Sequence, residues 1–196
     1  MNPVLLDIPT EFTTSRLHIR IPRPGDGEAV FESIQASLNE LKQWMPFAHE
    51  EQTVEKVEAN LRNAHAQFHT REDLRLLLFR KADNVYIGSS GLHRMNWEVR
   101  KFEIGYWIDT RYSGQGYMTE AVEGISDFAF KVLHARRVEI RCDTLNMKSK
   151  AIPERLGFAL EGTFHNDDLS VDGSRMRHTH IFAKIRDLSV FRDASE

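Results

Sequence analysis

The chain has 196 residues, 41% of them hydrophobic and 28% charged, an ordinary composition for a globular protein with a sizeable core. Its 26 basic and 29 acidic residues leave a net charge of −3, which argues against a nucleic-acid binder and leaves room for a cationic partner. No apolar run approaches the ~18 residues needed to cross a bilayer, the N-terminal stretch does not read as a signal peptide, and the single cysteine, Cys142, cannot close an internal disulfide. The expectation is one cytoplasmic domain over residues 1–196, with its core over residues 14–184.

Residues 16–21 alternate polar and apolar and predict a strand, ended by Pro22, Pro24 and Gly25. Asp26 stands where a helix cap belongs, ahead of an apolar stripe at Ala29, Val30, Ile34 and Leu38. Residues 41–47, LKQWMPF, break at Pro46 and place Trp44, Met45 and Phe47 in a loop, either as core or as the wall of a substrate cleft. Residues 52–69 carry Val54, Val57, Leu61, Ala64 and Phe68 on one helical stripe, with Thr53 as cap. Strands are expected over 74–80 and 85–94, joined by a hairpin turn at Asp83-Asn84. A polar connection, 95–101, then leads to a strand over 102–109.

Next comes RYSGQGYMTEA, residues 111–121, and a helix with apolar residues at Ala121, Val122, Ile125, Phe128, Ala129, Val132 and Leu133. Residues 137–143 predict a strand parallel to 102–109, because a helix crossover joins the two. A short helix within 146–158 ends at Leu156, with Gly157 just beyond it and Pro153 shortening or kinking it. A strand begins at 158–163, a polar turn covers 166–174, the last strand covers 176–184, and the tail from 186 to 196 starts as a helix. The order is that of an α/β fold: a mixed, mostly antiparallel sheet of about seven strands, flanked by helices on both faces.

The stretch from Arg111 to Ala121 is a strand-to-helix turn suited to an anion. Gly114 and Gly116 let the backbone approach a ligand. The first amides of the helix lack internal partners and carry its positive end, a seat for a phosphate or pyrophosphate. The P-loop ending, Gly-Lys-Ser/Thr, is missing, and Thr119 stands where a dinucleotide fingerprint needs its third glycine. What fits is Arg/Gln-x-x-Gly-x-Gly/Ala, at Arg111, Gly114 and Gly116. It resembles the coenzyme A pyrophosphate loop of the GCN5-related N-acetyltransferase (GNAT) superfamily.

Two further stretches strengthen the resemblance. Asn146-Met147-Lys148-Ser149 followed by IPERLGF, residues 152–158, is similar to the signature that closes the coenzyme site in that superfamily. EIGYWI, residues 103–108, resembles a strand of the subfamily that acetylates ribosomal-protein N-termini, the RimJ/RimL-like enzymes. Arg16-Leu17 and the 41–47 segment resemble the start of the same subfamily.

The resemblance implies acetyl-CoA as co-substrate, an amine acceptor such as a ribosomal-protein N-terminus, and no metal. It places the pyrophosphate on the loop formed by Arg111, Tyr112, Ser113, Gly114, Gln115, Gly116 and Tyr117. The strand ending in Tyr106, Trp107 and Ile108 is expected to bulge and to splay from its parallel partner. The pantetheine then lies in the gap, and an amide near Trp107 or Ile108 meets the thioester oxygen. Asn146 bonds the pantetheine.

Amines are mostly protonated at neutral pH, so a base is needed. Glu103, on the strand face of Gly105 and Trp107, is the candidate, acting directly or through water. Ser149, one helical turn after Asn146, is the candidate acid for the departing thiolate, directly, through water, or only as a solvating hydroxyl. Tyr106 and Tyr117 are available, but neither matches the tyrosine that other members use.

The nine histidines form neither an H-E-x-x-H nor a Cys/His cluster, and His178 and His180 read as structural or acceptor-side residues. Cys142 lies in an apolar strand pattern and reads as a small buried hydrophobe. Glu50, Glu51, Asp167 and Asp168 could attract a cationic acceptor. Three functions stay open: an enzyme acting on a protein N-terminus, one acting on a small amine (polyamine, amino acid or aminoglycoside), and a coenzyme-binding module without catalysis. No nucleic-acid or membrane partner is expected, and the chain is a monomer or a homodimer.

Overall fold

A computed structural model describes residues 2–186, so the helix expected at the start of the tail lies outside the described residues. One sheet organises the chain. Its strands are β1 (Glu11–Thr13), β2 (Leu17–Arg20), β3 (Leu74–Arg80), β4 (Val85–Asn96), β5 (Lys101–Ile108), β6 (Arg137–Asp143), β7 (Ala159–Leu169) and β8 (Met176–Ile185). They lie in the order β1-β2-β3-β4-β5-β6-β8-β7. Among the described residues the five α-helices are α1 (Gly27–Ala36), α2 (Leu38–Leu41), α3 (Val54–Thr70), α4 (Tyr117–Lys131) and α5 (Met147–Arg155). The β5–β6 pair is parallel and every other pair is antiparallel. The sheet has eight strands rather than about seven. The addition, β1, is three residues long, too short to show a period.

Alternation along the central strands sorts the core into two layers. Leu76 and Leu78 of β3, with Ile87, Phe102 and Ile104, pack against Ala121, Val122 and Ile125 of α4. Leu77 and Phe79, with Tyr86 of β4, pack against Val30 and Ile34 of α1 and Val57 and Leu61 of α3. Helices α1 and α3 therefore cover one face and α4 the other. β7, the strand at the far edge, has no fully buried residue, as a solvated rim requires.

Several local expectations change. Asp26 adopts helical dihedrals and makes no capping bond. Its carboxylate instead accepts from the Arg20 guanidinium at 2.6 and 2.8 Å and from the Arg23 amide at 2.6 Å, partners that outbid a helix end. Thr53 does cap α3, its hydroxyl accepting from the Lys56 amide at 3.2 Å. The 41–47 segment is not all loop: α2 ends in it, and Pro46 opens a 3-10 turn, Pro46–His49. β4 runs on to Asn96 and β7 to Leu169, so the expected connections shrink to short turns. α5 continues through Pro153, and Gly157 follows it at φ +71°.

Candidate active site

The site is set by a strand that loses one neighbour. β5 and β6 are paired only at Lys101↔Arg137, Phe102↔Val138 and Glu103↔Glu139. Beyond Glu103, β6 stays with β8 and β5 stays with β4, so the β6-facing edge of residues 104–108 is open. The expected splay is present, but the expected bulge is not. Register runs unbroken from His93↔Glu103 to Gly88↔Ile108. The irregularities fall at Leu78/Phe79 and His93/Asn96, where β4 carries the extra residue. Gly88 lets β5 lie this close, since a Cβ there would meet the Trp107 carbonyl oxygen at 2.5 Å.

A cleft of about 1330 Å³ opens at the gap. At one end it is lined by Ser113, Gly114, Gly116 and Tyr117, and in its middle by Tyr106, Trp107, Ile108, Asn146 and Ser149. Glu103, Trp44, Met45, Arg141 and Asp168 also line it. Trp44 and Met45 thus wall the cleft, whereas Phe47 packs beside Trp107 with ring centroids 6.3 Å apart. Arg111, Tyr112 and Gln115 do not line it.

Arg111 turns its guanidinium onto fully buried Asp109, with Nη2 2.6 Å from Oδ2. Burial alone would raise the Asp109 carboxyl, but hydrogen bonds from Arg111 and Ser33 outweigh it and hold the group below the usual carboxylate range. Arg111 therefore anchors the root of the loop.

Gly114 and Gly116 have φ of +76° and +80°, the left-handed region that glycine enters without penalty. A Cβ on Gly114 would meet nothing within 4 Å. Gly116 caps α4, and the first bond back to it comes from the Glu120 amide at 3.1 Å. The preceding amides are left for a ligand.

Arg16 clamps this turn from outside. Its Nη1 donates to the Gln115 carbonyl at 3.0 Å, its guanidinium lies 4.4 Å from the Tyr117 ring centre, and its Nε donates to Glu120 at 2.6 Å. Glu120 also accepts from Thr14 Oγ1 and the Arg16 amide, each at 2.6 Å. Burial would raise the Glu120 carboxyl, but these bonds bring it below its ordinary value. In the sequence, Arg16 opens the 16–21 strand pattern and shares in the subfamily resemblance, with no sign of its partner. The separation of 104 residues between the partners hides the pairing from any local pattern.

Across the gap, Asn146 caps α5, its Oδ1 accepting from the Ser149 amide at 3.0 Å. The Ser149 hydroxyl is thus free of capping duty and donates to Tyr106 Oη at 3.2 Å. The Tyr106 hydroxyl in turn donates to the Ser149 carbonyl at 2.9 Å. That carbonyl is available because Pro153, four residues on, has no N–H to claim it. The proline in α5 therefore fixes the phenol, and Tyr106, set aside on sequence, sits at the candidate acid. Burial pushes the phenol well above its ordinary value, so it holds its proton at neutral pH. Cys142 is 7% exposed and also touches the cleft, its thiol pushed up to about 11 by burial.

Tyr106 points to the α4 face with Phe102 and Ile104. Glu103, Gly105 and Trp107 point to the α1–α3 face. Acid and base candidates thus lie on opposite faces of the sheet, joined through the gap. Glu103 Oε2 is 3.4 Å from both Arg94 Nη1 and Arg141 Nε. His178 and His180 are structural: their Nδ1 atoms bond the Asn166 amide at 3.0 Å and the Thr163 hydroxyl at 2.8 Å.

Residues 16–159 match the model of the acetyltransferase (GNAT) domain. The chain belongs to this GNAT family. YdaF of Bacillus subtilis (strain 168), which carries a provisional name as a ribosomal N-acetyltransferase, is 33% identical over 168 residues, covering 84% of this chain and 87% of YdaF. The ribosomal-protein-serine acetyltransferase of Escherichia coli (strain K12) is 28% identical over 155 residues, covering 79% of this chain and 80% of that protein. The solved structure of RimL, a ribosomal L7/L12 alpha-N-protein acetyltransferase, in complex with coenzyme A superposes with a TM-score of 0.82 at 20% identity, over 92% of this chain and 98% of RimL. This GNAT chain is accordingly an acetyl-CoA-dependent N-acetyltransferase.

Proposed function

We propose that the chain acetylates the α-amine of a protein N-terminus, with coenzyme and acceptor bound together from opposite faces of the sheet. The observation that carries this is the gap between β5 and β6, which connects the Ser149–Tyr106 pair on one face with Glu103 on the other. RimL and the E. coli relative are both ribosomal-protein acetyltransferases by name, which supports a protein acceptor. A single buried cysteine suits a cytoplasmic setting.

The residues fit the coenzyme. The amides from Gly114 to Tyr117 take the pyrophosphate at the positive end of α4. The free backbone groups of residues 104–108 and the Asn146 side chain take the amide-bearing pantetheine. Acetyl-CoA supplies a thioester carbonyl that a neutral amine can attack. Amides near Trp107 and Ile108 polarise that carbonyl. Glu103 meets the incoming ammonium, whose proton leaves to a base on the same face, directly or through water. Ser149, backed by the Tyr106 phenol, gives a proton to the leaving thiolate.

Thiol release from acetyl-CoA tests the reading. Peptides starting with serine or alanine should be turned over faster than spermidine, free amino acids or an aminoglycoside. Preference for a small amine would overturn the protein acceptor, and coenzyme binding without turnover of any amine would overturn the enzymatic role.

A further inference from the structure

On the acceptor face, three neighbouring strands bring Asp73, His93 and Glu103 into one row. His93 of β4 is the register partner of Glu103 on β5, and Asp73 immediately precedes the Leu74↔Leu92 pair. Directly opposed residues on adjacent strands share a face.

His93 Nδ1 lies 2.6 Å from Asp73 Oδ2. A carboxylate only accepts, so Nδ1 carries the hydrogen and, in the neutral ring, Nε2 carries the lone pair. Nε2 has no protein partner among the described residues. It sits 3.4 Å from where a Cβ on Gly105 would be, with Cδ2 at 3.1 Å. The imidazole therefore lies against Gly105, which lines the cleft with Arg94 and Glu103, while His93 itself does not line it. On its other side, a Cβ on Gly91 would come within 3.2 Å of the His93 Cε1 atom. Glycines on two strands thus leave the ring its niche, and the half-buried Asp73 carboxylate fixes its tautomer. Glu103 is engaged differently, with Oε2 facing both Arg94 and Arg141.

We propose that His93, oriented by Asp73, is the base that receives the proton of the acceptor ammonium, directly or through one water, while Glu103 holds that ammonium in place. The inference rests on the amine-acetylation reading above. Nε2 takes one proton from R–NH3+, and the resulting imidazolium is paired with Asp73. The freed lone pair forms the C–N bond, the C–S bond breaks with its electrons on sulfur, and the second amine proton reaches the thiolate through Ser149. The imidazolium then returns its proton to solvent. The charged groups around the ring are Asp73, at 2.6 Å, and the register partner Glu103, whose carboxylate faces Arg94 of β4 and Arg141 of β6. Arg75 of β3 is turned onto Asn60 of α3.

The test compares His93→Gln, Asp73→Asn and Glu103→Gln with the unaltered protein, using acetyl-CoA and a serine-initiated peptide from pH 6 to 9. His93→Gln should lower kcat at pH 7 about 100-fold, the low end for general-base loss, with KM for acetyl-CoA unchanged. The deficit should close towards pH 9 as the α-amine, with a pKa of about 8, deprotonates unaided. Asp73→Asn should give a smaller loss of the same shape, whereas Glu103→Gln should chiefly raise KM for the peptide.

Nitrogen NMR of the unaltered protein should show the Nδ1–H tautomer for His93, and its loss in Asp73→Asn. An Nε2–H tautomer, or a His93→Gln variant with ordinary kcat and pH profile, would overturn the proposal while leaving acetyl transfer intact. Failure of the unaltered protein to acetylate any amine would instead overturn the reading on which it rests, and the proposal with it.

Discussion

Replacing Glu120 by glutamine tests whether the clamp on the glycine turn is structural and functional at once. The carboxylate takes three hydrogen bonds of 2.6 Å, from Thr14 Oγ1, Arg16 N and Arg16 Nε, and its side chain is 15% exposed. Bonds to a charged group contribute about 1.5–3 kcal/mol each when buried. Glutamine keeps one accepting oxygen and the shape, so the net loss should be about 2 kcal/mol. For a chain of this length that is about 4–8 °C in Tm.

Arg16, released, no longer ties the Gln115 carbonyl or covers Tyr117, so coenzyme A should also bind more weakly by calorimetry. The sign with pH is fixed by the lowered carboxyl. Its contribution is complete above the unfolded value of about 4.3 and fades as pH falls through the lower folded value. The Tm gap between the two proteins should therefore be full at pH 7 and should narrow below pH 4. A Glu120→Gln protein with unchanged Tm and unchanged coenzyme affinity at pH 7 would refute the reasoning.

Gly116→Ala forces a Cβ into a left-handed residue 3.4 Å from Arg16 Nη2 and should cost about 1–2 kcal/mol, read as a lower Tm with a raised KM for acetyl-CoA. Asn146→Ala removes the α5 cap and should destabilise by about 1 kcal/mol in chemical unfolding. Ser149→Ala and Tyr106→Phe should each lower kcat about 100-fold. The double variant should be little worse than either, since the two hydroxyls act as one unit. Because the Cys142 thiol is pushed up to about 11, its alkylation by iodoacetamide should still be rising about tenfold per pH unit between pH 8 and 10. A plateau near pH 8.5, where a free thiol levels off, would contradict its burial.

The sequence reading did best where one element carries its own period. Residues 74–80 and 137–143 are strands at the expected bounds, and Ala121, Val122, Ile125, Phe128 and Ala129 of the expected stripe are buried along α4, whereas Val132, just past its end, is exposed. It was weaker where chain ends and partners decide. β1 exists because Phe12 lies opposite Ile19, and nothing in three residues announces that. Asp26 has the right side chain for a cap, but Arg20 takes it.

That the glycine pair, Asn146, Ser149 and Glu103 meet at one cleft was legible because family motifs are local strings. The Arg16–Glu120 clamp, the Tyr106–Ser149 contact and the His93–Asp73 pair join residues from 20 to 104 positions apart, and one-dimensional spacing is blind to them. Pro153 shows a subtler limit. On sequence it reads as damage to a helix, while in the fold its missing N–H is what leaves an acceptor for the phenol.

A strand missing a neighbour along half its length is normally a rim feature, guarded by charge or brevity against other chains that would zip onto it. In β5 the vacancy lies inside an eight-stranded sheet, recessed between α5 and the segment bearing Trp44 and Met45. There the unpaired backbone groups are screened from another chain's edge, so the sheet keeps an open strand without offering the protein a seam along which to polymerise.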